Sequence, residues 1–329
     1  MVEGEFESLK AMHAVSPGFV PEPYGWGHYS QDGKEYYFLL EQFRLVGEQP
    51  PDPVRFTEKL ADFHKRSISP NGKFGFHTTT CHAQVPQLTD QWSESWSEVY
   101  QKHLGYMVKQ DQEQNGLWPE FKVLCNITLE HVIPRLLEPL QSDGRSIKPC
   151  LVHGDLWDEN TATDMSTGEP FIFDPASLWA HNEYETGNWR AIRHRLSNKS
   201  YIDRYKDHFP ASEPGKPASP ALFPSLASFH SKERIKLTNH GITISGRVGV
   251  AKHSILTQIQ FRSRHPLPWF CSATSVRSPP GAKLIPAIVN SVVVLNMEPF
   301  FLFFSLFNDM KTLCEQYFPD LLRSRLAEL

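Results

Sequence analysis

The stretch that decides the fold runs from Pro149 to Arg190 and reads PCLVHGDLWDENTATDMSTGEPFIFDPASLWAHNEYETGNWR. An apolar run at 150–152 predicts a buried strand, and the loop that follows it carries Asp155 and Asn160. A cluster of turn residues then leads to a second apolar run, which ends in Asp174. The stretch therefore predicts a strand–loop–strand unit that presents two carboxylates and one amide side by side.

These three polar side chains match what phosphoryl transfer to a hydroxyl group requires. Asp155 and Asn160 have the spacing of the Asp-x-x-x-x-Asn loop of kinases, in which the Asp accepts the hydroxyl proton and the Asn binds a metal ion. On this interpretation Asp155 is the catalytic base, while Asn160 and Asp174 bind Mg²⁺ on the phosphates of ATP. Taken singly, an Asp at a strand end and an Asn in a turn are also ordinary structural residues.

Two segments of this stretch resemble the fructosamine/ketosamine-3-kinase family, which is related to the aminoglycoside and choline kinases. They are HGDLWDEN at 153–160 and FDPASLWAHNEYETGNWR at 173–190. Glu159 departs from the family pattern, which has glycine at this position, and the departure concerns the backbone geometry of the loop. The resemblance implies an α+β, protein-kinase-like fold with a mostly helical C-lobe.

The same resemblance implies an ATP- and Mg²⁺-dependent kinase. It would phosphorylate the 3-hydroxyl of ketosamines, fructosamine or ribulosamine, on glycated proteins or small molecules, as a step of protein deglycation. Two alternatives stay open. One is a small-molecule hydroxyl kinase of the aminoglycoside or choline kinase type, and the other is a catalytically inactive, truncated kinase-like protein.

Substrate contacts are implied for Trp157, Trp92, His181 and Glu185. The flat face of Trp157 could stack on a sugar ring, and packing in the core is an equal alternative. The segment SPNGKFGF at 69–76 also matches the family. With the residues up to Trp92, it is expected to border the site of the acceptor sugar.

Nucleotide contacts are implied for Glu5, Glu41 and Phe43. Gly4-Glu5 resembles the start of the family helix whose Glu pairs with the ATP-binding lysine. Glu41 and Phe43 follow a predicted strand where kinases have the hinge that meets adenine, and a plain edge strand is the alternative. In the family the glycine-rich strands and the lysine precede this helix, so the resemblance implies an N-lobe that is truncated in this chain.

Local patterns predict the elements that precede the catalytic stretch. Apolar residues at helical spacing predict a helix over Glu3–Ala14, and the residues Gln31-Asp32-Gly33-Lys34 predict a hairpin turn. Asp52 followed by Pro53 predicts the beginning of a second helix, because Asp caps the free amide groups and proline fits the first turn.

Two further helices are predicted between this region and the catalytic stretch. The first is expected to be capped by Thr89 and to include Trp92, since aromatic and other apolar residues follow it at steps of three and four as far as Met107. The second begins at Pro119 and is expected to kink at Pro134, where a backbone donor is missing.

The composition excludes several classes of protein. The 329 residues have a formal net charge of −4 and are 40% hydrophobic, so no global attraction to nucleic acid or anionic membranes is expected. The cysteines lack CxxC spacing, which favours reduced thiols in a cytoplasmic protein over a disulfide framework or a zinc site. They are Cys81, Cys125, Cys150, Cys271 and Cys314.

The balance of basic and acidic residues changes after residue 214. We expect an N-lobe remnant with the hinge at 1–48, a C-lobe with the catalytic loop and acceptor site at 49–214, an atypical basic insert at 215–308, and a C-terminal family helix at 309–329. The insert holds ten of the 33 Lys and Arg residues but two of the 37 Asp and Glu residues. So abrupt a shift indicates a foreign segment or a separate module.

Three interpretations of the insert stay open. Its end, PFFLFFSLFN, is rich in residues with pyrimidine-only codons, which is typical of a translated intron end and would make the segment poorly ordered. A membrane anchor over 284–307 is the second interpretation, although its prolines and polar residues argue against a spanning helix. A basic nucleic-acid patch is the third, and it lacks interleaved aromatic residues.

Overall fold

The computed structural model describes residues 1–31, 34–47, 49–82, 85–190, 194–212, 235–238, 241–250, 253–261 and 307–329. Its helices in these ranges are α1 (Val2–Val15), α2 (Pro53–Arg66), α3 (Trp96–Asn115), α4 (Pro119–Ile127), α5 (Ile133–Leu137), α6 (Lys199–His208), α7 (307–317) and α8 (Pro319–Ala327). The strands pair antiparallel: β1 (Pro23–Gln31) with β2 (Lys34–Glu41), β3 (Cys81–His82) with β4 (Val85–Pro86), β5 (Cys150–Val152) with β8 (Leu178–Ala180), and β6 (Thr161–Thr163) with β7 (Pro170–Ile172).

The N-terminal part consists of α1 packed against the β1–β2 hairpin. The predicted helix over Glu3–Ala14 is confirmed, with one more residue at each end. The predicted hairpin is also confirmed, because Gln31 pairs with Lys34 across the turn, whose own two residues lie outside the described ranges. The hairpin thus leads from α1 into the segment that carries Phe43.

Helix α2 is the central element of the larger, helical part. It packs against α6, β5 and β7, and its Phe56, Leu60 and Phe63 are completely buried. The prediction for its beginning is confirmed, since the Asp52 side chain accepts hydrogen bonds from the amides of Val54 and Arg55, both at 3.1 Å. The cap and the buried face together fix this helix beneath the strands of the catalytic stretch.

The prediction of a helix capped by Thr89 is wrong. Helix α3 begins at Trp96, and its cap is Ser95, whose hydroxyl accepts a hydrogen bond from the Glu98 amide at 3.2 Å. The Thr89 hydroxyl instead accepts a hydrogen bond from the Thr80 amide at 2.9 Å. The backbone of Thr89 and Ser93 instead hydrogen bonds to Phe76 and Phe74 of the SPNGKFGF segment, and the residues from Thr89 to Ser95 form no helix.

The helix predicted from Pro119 is interrupted just before Pro134 by a π-helical turn, and the kink predicted at Pro134 stays a prediction. Residues Thr128–Val132 form this turn between α4 and α5, and Pro134 stands in the first turn of α5. The Ile133 amide still donates to the Thr128 carbonyl. The wider turn accommodates a proline that cannot donate to the preceding turn, as is common at such bulges.

Most of the predicted insert at 215–308 lies outside the described residues. Within it, β9 (Ile235–Thr238), β10 (Gly241–Val250) and β11 (His253–Phe261) form an antiparallel sheet with β10 in the middle. Residues 284–306 of the anchor interpretation lie outside as well, and no helix in the described ranges is long and apolar enough to cross a membrane. The intron interpretation stays a prediction.

Beyond the insert, α7 packs on the helical part through the buried residues Met310, Leu313 and Cys314. The thiol of Cys314 lies 3.6 Å from the Thr128 hydroxyl, at the π-helical turn. Cys81, Cys125, Cys150 and Cys314 are free thiols, and Cys271 lies outside the described residues. The segment from 309 onwards is helical, as α7 and α8, and its assignment to the family stays a prediction.

Gly75 joins the SPNGKFGF segment to the catalytic stretch. Its amide and carbonyl exchange hydrogen bonds with Trp179 in β8, at 2.9 and 2.8 Å. Its φ is +123°, and a Cβ placed on it would overlap the carbonyl oxygen of Gln91. Gly72, three residues earlier, also has positive φ, at +72°, but has open space around it.

The two glycines form a matched pair for mutation. We expect Gly72→Ala to lower the free energy of unfolding by about 1 kcal/mol, which is the cost of placing a residue with a Cβ at positive φ. Gly75→Ala adds a backbone overlap and should lower it by roughly 3 kcal/mol or more. Urea unfolding followed by circular dichroism measures both, and equal losses would contradict the proposed close approach at Gly75.

Candidate active site

Two short strand pairs bring the predicted catalytic residues together. Strands β5 and β8 hold one end of the loop at 153–160, and β6 and β7 hold the other. The side-chain amide of Asn160 donates to the backbone carbonyl of Asp155 at 2.8 Å and lies 3.5 Å from that of Asp174. The structure thus brings Asp155, Asn160 and Asp174 close together in space, as the sequence predicts.

The loop also depends on the residues just before Asp155. Gly154 has φ of +85°, and a Cβ there would overlap the carbonyl oxygen of Ala176, so only glycine fits. The His153 ring donates from Nε2 to the Phe173 carbonyl at 2.8 Å and accepts the Asp155 amide at Nδ1, at 3.2 Å. These bonds fix the tautomer of the imidazole and connect the loop to Phe173, which lies between β7 and Asp174.

The departure from the family pattern at Glu159 does not disturb the loop. Asp158–Asn160 form a right-handed 3₁₀ turn, a conformation that residues with a side chain adopt readily. Unusual backbone is found instead at Asp174, whose φ is +59°. A non-glycine residue in this region is strained, and such strain is typical of functional sites.

Glu185 lies beneath the loop rather than at a substrate surface. Its carboxylate accepts the backbone amides of His153 at 2.6 Å and Gly154 at 3.1 Å, and it lies 3.3 Å from Nε2 of His64. The side chain is 0% exposed. This corrects the expectation of a substrate contact, because the carboxylate is enclosed by protein and engaged by the loop.

The charge of Glu185 is stabilised in this enclosed position. Burial acts to raise the pKa of its carboxyl, but the hydrogen bond and charge of His64 and the amide of His153 outweigh burial, so the pKa lies below its usual value. His64 is held in turn by Tyr205, whose hydroxyl lies 2.8 Å from Nδ1. A buried network therefore supports the catalytic loop from below.

Asn188 and Trp189 complete this support, and sequence reasoning missed both. They belong, with Glu185, to the 3₁₀ helix Asn182–Arg190, which we call the anchoring helix. Asn188 donates from Nδ2 to Oδ1 of Asp155 at 3.3 Å, and the Trp189 indole donates to the Leu156 carbonyl at 3.2 Å. The signal was the three-residue step from Glu185 to Asn188, which places both on one face of a 3₁₀ helix.

Glu5 and Glu41 lie on the side of the site expected to face the nucleotide. The Ser177 amide donates to the Ser8 hydroxyl at 3.0 Å, and this bond ties α1 to the segment after Asp174. Burial, and then the negative charges of Asp174 and Glu41, raise the pKa of Glu5 to about 7. Burial and the charge of Asp174 also raise the pKa of Glu41. Glu5 and Glu41 therefore form, beside Asp174, a group of mutually repelling carboxylates that we call the electronegative wall.

The other predicted residues differ in their exposure. Phe43 is 87% exposed just after β2. Trp157 is half-buried at the loop, edge-on to His194 with ring centroids 5.3 Å apart. Trp92 packs against the core ahead of α3. His181 is buried, bonds to the Ser212 hydroxyl at 2.8 Å, and has a pKa lowered to about 4 by burial.

The oxygen atoms at the site suit Mg²⁺. Because Nδ2 of Asn160 donates to a backbone carbonyl, its amide oxygen is the atom available to a metal, together with the Asp174 carboxylate. No three His, Cys, Asp or Glu side chains converge as a metal site in the described part of the chain. Two protein oxygens fit Mg²⁺ nevertheless, since this ion takes few protein ligands and completes its shell with phosphates and water.

Known proteins resemble this chain over the part that carries the site. The family model for fructosamine kinase matches residues 1–216. A chloroplastic protein-ribulosamine 3-kinase of Oryza sativa subsp. japonica is 34% identical over 195 residues, which are 58% of this chain and 53% of that protein. A ketosamine-3-kinase of Mus musculus is 30% identical over 211 residues, 56% of this chain and 63% of that protein. The chain thus spans about half the length of the rice relative.

A solved structure resembles the fold. It comes from Haemophilus somnus, is described there provisionally as a fructosamine-3-kinase, and superposes with a TM-score of 0.50 at 21% identity. The match covers 70% of this chain and 69% of that one. At this identity the likeness speaks for the fold alone, and it confirms the predicted α+β, protein-kinase-like class.

Glu185→Gln tests the support beneath the loop. We expect the variant to lose roughly 2–3 kcal/mol of unfolding free energy at pH 7, because an amide cannot replace a carboxylate that accepts several donors. The pKa of Glu185 is lower in the folded than in the unfolded protein, so its contribution is complete above the unfolded value and fades as the pH falls through the folded one. Urea unfolding at pH 7 and pH 3.5 should show a smaller difference at the lower pH.

The control for that variant is Glu113→Gln on the exposed surface of α3, which should change stability by less than about 0.5 kcal/mol. A Glu185→Gln protein as stable as the control variant at pH 7 would contradict the proposed support.

Glu5→Gln tests the electronegative wall, with the opposite dependence on pH. The pKa of Glu5 is raised from 4.5 to about 7, so the wild type loses stability relative to the variant as the pH rises between these values. The complete shift corresponds to about 3 kcal/mol, which solvent screening reduces at this half-buried position, so we expect a gain of about 1–2 kcal/mol at pH 8. Thermal unfolding at pH 4 should show no gain, and a gain of the same size at both pH values would refute the assignment.

Proposed function

This chain belongs to the fructosamine kinase family, and we propose that it transfers the γ-phosphoryl group of ATP to the 3-hydroxyl of ketosamines in protein deglycation. The observation that carries this proposal is the convergence of Asp155, Asn160 and Asp174. A base and two metal-binding oxygens are what a kinase needs around the transferred group.

Asp155 acts as the base. It accepts the proton of the sugar hydroxyl while the hydroxyl oxygen forms a bond to the γ-phosphorus, and the bond from that phosphorus to the bridging oxygen of ATP breaks, so that ADP leaves with the electron pair. Its backbone position is set by the bonds of His153 and Asn160. Little covalent chemistry is required of the protein, so most of the rate enhancement comes from positioning.

Asn160 and Asp174 would hold Mg²⁺ on the phosphates. The ion, when bound, neutralises negative charge on the transferred group. The electronegative wall of Glu5 and Glu41 beside Asp174 adds a further reason for a cation here, because burial and mutual repulsion disfavour their charges. Phe43, exposed at the end of β2, is proposed to meet the adenine with the adjacent backbone.

The acceptor is proposed from the relatives, which are named for ribulosamine and ketosamine. Trp157 is half-buried beside the base, which suits stacking on a sugar ring. Glycated proteins and small ketosamines are the proposed partners. Cysteines without disulfide or zinc spacing support a reducing, cytoplasmic location.

Asp155→Asn tests the base. We expect kcat for ribulosyl-lysine or fructosyl-lysine to fall by roughly 10²–10⁴-fold, with unfolding free energy and Mg·ATP binding unchanged, since only the proton acceptor is lost. ADP release with product analysis by ³¹P NMR gives the rate and the position of the phosphate.

The matched control is Asp203→Asn on the exposed surface of α6, which should retain the wild-type rate. An Asp155→Asn protein with wild-type kcat would refute the role of Asp155. A wild type that phosphorylates aminoglycosides or choline and leaves both ketosamines unmodified would refute the proposed acceptor.

A further inference from the structure

The anchoring helix contacts four consecutive residues of the catalytic loop. Glu185 binds the amides of His153 and Gly154, and Trp189 binds the carbonyl of Leu156. These bonds all go to the backbone. Asn188 differs, because its Nδ2 donates to the side chain of Asp155, at Oδ1.

We propose that Asn188 is a positioning residue that orients the carboxylate of the catalytic base. The inference rests on the proposed function, since it assigns Asn188 a part in the same phosphoryl transfer. Asn188 is 8% exposed, so its amide lies in a defined place beside Asp155. Its side chain contacts Asp155, and it affects the reaction by orienting the Asp155 carboxylate.

Orientation matters here because the terminal torsion of an aspartate is soft. Rotation about the bond to the carboxylate has broad, roughly two-fold preferences, so the backbone alone does not fix where the two oxygens point. The donor of Asn188 on Oδ1 favours one orientation, and Nδ2 of Asn160 lies 3.5 Å from Oδ2. Each carboxylate oxygen can accept two hydrogen bonds, so the bond from Asn188 does not by itself use up the acceptor capacity of Oδ1. A small misplacement of a reacting group is sufficient to lower the rate strongly.

Glu185 and Trp189 bind the backbone of the loop, whereas Asn188 binds a side chain, so the loss of Asn188 should have a different effect from the loss of the other two. Without Asn188, the backbone of the loop is still held by Glu185 and Trp189, and the oxygens of Asn160 and Asp174 are untouched. Nucleotide and acceptor should therefore bind as before. The loss should appear in kcat and leave KM unchanged, which is the signature of an interaction that serves the reacting group.

Two substitutions test the proposal. Asn188→Leu is close to isosteric and removes the donor, and Asn188→Asp keeps the shape while it places an acceptor, with negative charge, against the carboxylate. We expect kcat for ribulosyl-lysine to fall roughly 10–100-fold in Asn188→Leu and at least as much in Asn188→Asp, with both KM values within about twofold of wild type. If Asn188 only filled space, the near-isosteric Asn188→Leu would keep the wild-type kcat.

The control is Asn115→Leu, which removes another amide that donates to a carboxylate, that of Asp111 at 2.8 Å near the end of α3. It should keep the wild-type kcat whatever it does to stability, which urea unfolding reports for every variant. An active wild type with unchanged kcat in Asn188→Leu, or with a loss confined to KM, would overturn the inference and leave the proposed function standing. A wild type without phosphotransfer to ketosamines would overturn the proposed function, and the inference with it.

Discussion

The geometry of the site depends on one buried carboxylate, that of Glu185. The loop that presents Asp155 turns sharply at Gly154, so the amides of His153 and Gly154 point into the protein. Buried donors without partners are costly, and so is a buried carboxylate without donors. Bringing them together offsets both penalties, and His64 adds a third contact from α2. The loop can therefore adopt its tight conformation only where the anchoring helix lies beneath it.

This arrangement connects the packing of the helical part to the chemistry of the site. Helix α2 supplies His64 from its buried face, and Tyr205 of α6 holds the other nitrogen of that ring. Above them, strands β5 and β8 deliver the loop, and strand β7 leads into Asp174. The strained backbone of Asp174 is maintained because its surroundings are fixed on both sides. Packing and polar contacts thus act together on the three side chains proposed to be catalytic.

Much of the site could be predicted because its signals are local. Asp155, Asn160 and Asp174 each follow an apolar run within one stretch, so the order of strands and loops is enough to bring them together. The Asp52 cap and the hairpin could likewise be predicted, because adjacent residues specify them. The protein-kinase-like fold followed from motifs within that same stretch.

The parts that sequence missed depend on contacts between distant residues. Helix α3 begins only at Trp96 because the backbone at Ser93 is held by hydrogen bonds to the distant Phe74, a constraint that the aromatic spacing around Trp92 does not reveal. Glu185 bonds to amides some thirty residues away, and its sequence neighbours give no hint that it is enclosed. Asn188 was missed because a 3₁₀ helix repeats every three residues, and the stretch was not recognised as helical.

Crystallography of the chain with Mn²⁺ and ADP would show whether Asp155, Asn160 and Asp174 surround the reacting phosphate. Anomalous scattering locates the manganese independently of the phases. We expect a peak within bonding distance of the Asn160 side-chain oxygen and the Asp174 carboxylate, with Asp155 facing the end of the nucleotide. Manganese and nucleotide bound elsewhere on the protein, with these two side chains uninvolved, would contradict this expectation.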